Sequence, residues 1–183
     1  SMPSMVAVEF DDYGNLMNRA QLEAAVEAAK ETASNRGTVI VYVHGWHNSA
    51  CKDSRDVVRF SEMIERVSTA SAQGGKGPVR GIYVGWRGDS IRSDGLLIPF
   101  SNLLTFWDRK SAAHNIGASG GVYELFSRLS EVRRSHAKSR LLIHGHSFGG
   151  ALVFSTLTHA LVDQIRRDAE PGEEKKMCKE EKA

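Results

Sequence analysis

Gly145-His146-Ser147-Phe148-Gly149 sets a serine between two glycines at the spacing G-x-S-x-G. The run before it, Arg140-Leu141-Leu142-Ile143, is short and apolar, as a buried strand is. The run after it, from about Gly150 to Arg167, carries Val153, Leu157, Leu161 and Ile165 at helical spacing. A strand that turns sharply into a helix crowds the backbone around the residue between them, and a Cβ on either flank would collide with neighbouring elements. Glycine on both sides answers that demand. The turn is expected to lift Ser147 above the strand ends, at a helix N-terminus whose positive end favours a developing oxyanion. The plainer alternative is a Gly-rich turn with an ordinary serine. A phosphate-binding loop is disfavoured, because no Gly-Lys-Ser/Thr ending follows.

The second candidate segment is His44-Gly45-Trp46-His47-Asn48, directly after the apolar run Thr38 to Val43. In parallel α/β sheets, sites gather outside the carboxyl ends of the strands, so this loop and the Ser147 turn should lie side by side. Backbone N–H groups of Trp46 and Phe148 would then form an oxyanion hole. The side chains of His44 and His47 are read first as hydrogen-bonded loop packing, with a site-lining role as the alternative for both and for His146. His136 precedes the strand leading to Ser147 and belongs at the opposite rim of the sheet. His159 lies about 18 Å along the helix from Ser147. His47 is the histidine best placed to approach the serine, though a role as base is not its first reading.

These residues need a scaffold of alternating strands and helices. Thr38–Val43, Val79–Val84 and Arg140–Ile143 read as strands buried on both faces, with a weaker strand over Val6–Phe10 closed by Asp11-Asp12-Tyr13-Gly14. Asn18 caps a helix with Leu22, Ala25, Val26, Ala29 and Ala33 on one face, ending near Gly37. A second helix follows Asp53 with Val57, Phe60, Ile64 and Val67, and a third carries Val122, Leu125, Leu129 and Val132. This alternation predicts a three-layer αβα domain over residues 6–167, with a mostly parallel sheet and right-handed crossovers. Residues 1–5 read as a remnant and a short N-terminal tail. Residues 89–117 hold Leu96-Leu97-Ile98-Pro99-Phe100 and Leu103-Leu104-Thr105-Phe106-Trp107, an apolar insertion suited to a lid or to core packing. Residues 168–183 are rich in Glu and Lys without apolar period and are expected to be flexible, or to begin an insertion.

The segment at His44-Gly45-Trp46-His47-Asn48, the run Gly85-Trp86-Arg87-Gly88-Asp89-Ser90, the stretch Thr105-Phe106-Trp107-Asp108-Arg109-Lys110 and the turn from Gly145 to Ala151 together resemble the α/β-hydrolase superfamily in its esterase- and lipase-like serine hydrolases. The resemblance spans roughly residues 36 to 167. It implies Ser147 as nucleophile, an oxyanion loop at Trp46, acyl transfer on a carboxylic ester and no cofactor or metal. The family's crossed topology further implies the spatial order Val79 strand, Thr38 strand, Ser147-bearing strand. Arg87 and Asp89 become candidate substrate contacts, with an Arg/Asp pair fixing the insertion as the plainer role. The family order Ser, then Asp/Glu, then His is not met by the 36 residues after Ser147, so the triad acid and base are expected beyond residue 183. The sheet edge left open is expected to aggregate or to dimerise. The alternative is a catalytically incomplete hydrolase-like module that binds a lipid or protein partner.

Composition fits this picture. The 183 residues are 41% hydrophobic and 25% charged, close to the average of folded domains. Lys+Arg 24 against Asp+Glu 22, scattered along the chain, gives no phosphate-tracking stripe, so nucleic acid is not an expected partner. No apolar run approaches the roughly 20 residues of a membrane span, and no signal-peptide pattern opens the chain, so a cytoplasmic location is expected. Cys51 and Cys178 share no ligand-like spacing and read as reduced thiols.

Overall fold

The computed structural model describes residues 4–11, 15–44, 54–86, 120–146 and 148–169. Four strands and four helices alternate along them: β1 (Met5–Phe10), α1 (Arg19–Ser34), β2 (Thr38–Val43), α2 (Arg55–Gln73), β3 (Val79–Trp86), α3 (Gly121–Ser135), β4 (Arg140–Gly145) and α4 (Phe148–Ala169). The strands form one sheet in the order β1-β3-β2-β4, every pair parallel. The expected neighbours β3, β2 and β4 therefore stand side by side.

Local chemistry explains the helix starts. Asn18 accepts a hydrogen bond from the Ala20 amide at the head of α1, and Ser54 does the same for Val57 at the head of α2. Leu22, Ala25, Val26, Ala29 and Ala33 of α1 recur at a helical period and are all buried, as are Val122, Leu125, Leu129 and Val132 of α3. These two helices, with Val153 of α4, cover the sheet face made by Val8, Phe10, Val39, Val41, Val43, Ile82 and Val84. The other face belongs to α2, whose Val57, Phe60 and Ile64 pack with Val79 and Tyr83. The result is three layers: among the described residues, α1, α3 and α4 lie on one side and α2 on the other.

Across α1 and α3, Arg128 makes a two-pronged contact with Glu23, at 2.7 Å from each carboxylate oxygen. Arg19 reaches Glu124 at 2.6 Å. The Arg128 guanidinium, first through its hydrogen bond, holds the Glu23 carboxyl below the ordinary range. At the far ends of the same helices, His136 Nδ1 lies 2.8 Å from the Val132 carbonyl and its Nε2 3.3 Å from Ser34 Oγ. His136 thus sits before β4, at the rim away from the Ser147 turn, as expected.

Three elements depart from expectation; in α2 the last residue of the apolar series, Val67, is 37% exposed. β4 is buried on one face only: Leu141 and Ile143 pack into the core, whereas Leu142 on the α2 face is 53% exposed. The reason is positional, since β4 is the last strand of the described sheet and α2 lies over β2 and β3. In α4, Val153 and Leu157 reach the core as predicted, but Leu161 and Ile165 stay 62% and 66% exposed. The insertion at 89–117, and the tail after Ala169, lie outside the described residues.

Candidate functional site at the β2 and β4 ends

The direction in which each strand hands on the chain creates the site. Among the described elements, α2, the next after β2, lies on one face, and α3 and α4, the next after β3 and β4, lie on the other. Adjacent strands whose continuations part to opposite faces leave a crevice at their carboxyl ends. By that rule the switch point lies at β2, between β3 and β4. His44 directly follows β2, and His146 directly follows β4.

The turn is as tight as its glycines require. His146 donates its amide to the Val43 carbonyl at 3.0 Å, and the Gly149 amide closes on the His146 carbonyl at 2.9 Å. A Cβ on Gly149 would fall on the Val43 carbonyl oxygen, and one on Gly145 would come within 2.5 Å of the Gly149 carbonyl oxygen. The first turn of α4 is therefore pressed against the ends of both β2 and β4, an approach open only to glycine. Phe148 is the first residue of α4, so its N–H belongs to the orphan donors of a helix start. No acidic side chain stands in that first turn to oppose a negative charge.

His44 is fully buried and stacks on Tyr83, ring centroids 5.4 Å apart and planes 23° from parallel. Its environment is that of a packed residue beneath the crevice. His146 is exposed. Ser147, Trp46, His47, Arg87 and Asp89 lie outside the described residues. What is brought together is their framework: register pairs Val43 with Gly145, so the His44 loop and the serine turn leave neighbouring strands at the same level.

Beneath the crevice runs an aromatic row that the sequence analysis passed over. Tyr83, Tyr42 and His144 are cross-strand neighbours on β3, β2 and β4. Tyr42 lies 5.7 Å from the Tyr83 ring, 5.7 Å from His144 and 5.3 Å from Phe60 of α2. The signal was available in the repeated Tyr-Val ending of both Val41-Tyr42-Val43 and Ile82-Tyr83-Val84, which fixes one tyrosine at the same depth in each strand. The Tyr83 hydroxyl is buried without a hydrogen-bond partner of ordinary geometry. Burial raises its pKa strongly, the nearby Asp56 carboxylate adds to this, and a weak interaction with Ser54 works the other way. Tyr42 is raised for the same two leading reasons.

Among the described residues no group of three or more His, Cys, Asp or Glu side chains is arranged to hold a metal ion, and no helix is long and apolar enough to cross a membrane. No protein-family model, curated protein or solved structure matches the chain.

Proposed function

We propose that this chain carries the nucleophile half of an α/β-hydrolase-type acyl-transfer site, with Ser147 attacking the carbonyl carbon of a carboxylic ester. The observation that supports this most is the glycine-enforced closure of the β4–α4 turn onto the Val43 carbonyl, at the crevice where the chain leaves β2 and β4 for opposite faces. In this reading Ser147 Oγ adds to the carbonyl and passes its proton to a general base. The oxyanion is held by the N–H groups of Phe148 and Trp46, and the alcohol leaves with a proton returned by that base. The base and its acid partner come from outside the described residues. His44 supports the floor of the site by packing on Tyr83, and Arg87 and Asp89 are assigned to the substrate side.

Fluorophosphonate labelling tests the reading. A serine hydroxyl without a paired base is a weak nucleophile at neutral pH, so labelling of the chain should be slow but measurable. It should vanish in Ser147→Ala. Labelling that survives this substitution overturns the assignment.

A second reading, a hydrolase-like binding module, draws support from the apolar flank of α4, where Phe154 is 75% exposed. It predicts no acylation of Ser147 by any ester, together with saturable partner binding.

A further inference from the structure

Among the described residues the four most exposed large apolar side chains, Phe154, Ile165, Leu161 and Leu142, lie on α4 and β4, whereas Met17 and, on α2, Val58, Met63 and Val67 are exposed elsewhere. Leu142 on β4 and Phe154, Leu161, Val162 and Ile165 on α4 are exposed by 53%, 75%, 62%, 40% and 66%. Phe154, Leu161 and Ile165 are spaced seven and four residues apart, which aligns them along one side of the helix. One flank of α4 packs on α3, and its inner face, through Val153 and Leu157, packs on the sheet. The exposed stripe therefore occupies the remaining flank, above the outer edge of β4.

Among the described residues β4 has a neighbour on one side alone, β2. The amides of Arg140 and His146 point toward β2, bonding to the Gly37 and Val43 carbonyls. By the alternation of a strand, the N–H and C=O groups of Leu141 and Ile143 point away from it. An outward row of backbone donors and acceptors, bordered by apolar side chains above and below, is a template for another strand.

We infer that the occupant is a second copy of this chain, joined edge to edge through β4 about a two-fold axis normal to the sheet. The symmetry makes the two observations one. Such an axis runs β4 antiparallel to its counterpart and links the two four-stranded sheets into one. It also keeps each layer on its own side, so the two α4 helices meet flank to flank with Phe154, Leu161 and Ile165 facing their equivalents. Leu142 meets the other copy on the opposite face. The five side chains offer on the order of 500 Å² of apolar surface per copy, so about 1,000 Å² is covered in the pair, the area at which specific interfaces begin. The paired strand edges add to it. The inference does not depend on Ser147 being a nucleophile.

Sedimentation equilibrium of the full chain across the micromolar range tests it. The expected result is a reversible dimer, with Phe154→Glu and Ile165→Glu each weakening association by roughly 30-fold or more, the effect of losing an interface hot spot. Both positions are exposed, so the variants should fold; circular dichroism matching the parent confirms that. Hydrogen exchange should show the Leu141 and Ile143 amides protected in the dimer and open in either variant. A monomer at every concentration overturns the inference. So does a monomer in which those amides are nonetheless protected, which would give the edge to another segment of the same chain.

Discussion

A phenol enclosed by His44, Tyr42 and Phe60 can lose its proton only by leaving a charge in apolar surroundings, and this governs how Tyr83 answers to pH. Its folded-state pKa is raised, first by burial and then by Asp56. Below about pH 10, the ordinary tyrosine value, folded and unfolded chains both hold the proton and stability is unaffected. Above it the unfolded chain releases a proton that the folded chain keeps, so stability falls as pH rises, by up to about 1.4 kcal/mol per pH unit for this one group. Chemical denaturation at pH 9, 10 and 11 should show that decline. Tyr83→Phe should reduce the slope, leaving a smaller one from Tyr42, at little cost near pH 7 because the hydroxyl has only its weak interaction with Ser54 to lose. An unchanged slope would remove Tyr83 from the account. At this scale the sequence disclosed the residues whose type fixes their geometry, such as Asn18 at its cap and Gly145 and Gly149 at the turn. It did not disclose the burial of the Tyr83 hydroxyl, because that burial is a property of α2 packing on β3.

Between residues and the whole, the contact that decides the site is among three elements, with the first turn of α4 lying on the ends of β2 and β4. Gly149→Ala puts a methyl group onto the Val43 carbonyl oxygen, backbone against backbone, where no side chain can rotate aside. The expected cost is about 1–3 kcal/mol or more of stability, since either α4 must lift or the strands must part. Thermal or denaturant melting measures it, and a loss below about 0.5 kcal/mol would mean that the turn is looser than described. The same variant should slow fluorophosphonate labelling even at temperatures where it remains folded, because the α4 N-terminus is displaced. Helix and strand types were readable here from periodicity alone, including the buried faces of α1 and α3. The outer half of α4 and the second face of β4 were misjudged for one reason: periodicity marks which residues are apolar, whereas burial also needs a neighbour to cover them. Leu142 and Ile165 are apolar and at the right spacing, yet nothing among the described residues covers them.

For the molecule as far as it is described, the order β1-β3-β2-β4 sets β2 between two strands whose following helices lie on the face opposite to α2. The parallel sheet and the neighbours of β2 were anticipated, the first from apolar runs separated by helical segments and the second from the resemblance. The open edge was expected to aggregate or to dimerise, but a strand's sequence does not say what lies beside it. On the proposed function, the β4–α4 turn presents Ser147 to amide donors beside the end of β2. A crystal structure of the chain after reaction with a fluorophosphonate tests it most directly. The account predicts phosphorus bonded to Ser147 Oγ, with a phosphoryl oxygen about 2.7–3.1 Å from the Phe148 nitrogen and from an amide of the loop after His44. An adduct on another residue, or a phosphoryl oxygen directed to solvent with neither amide in reach, would contradict it.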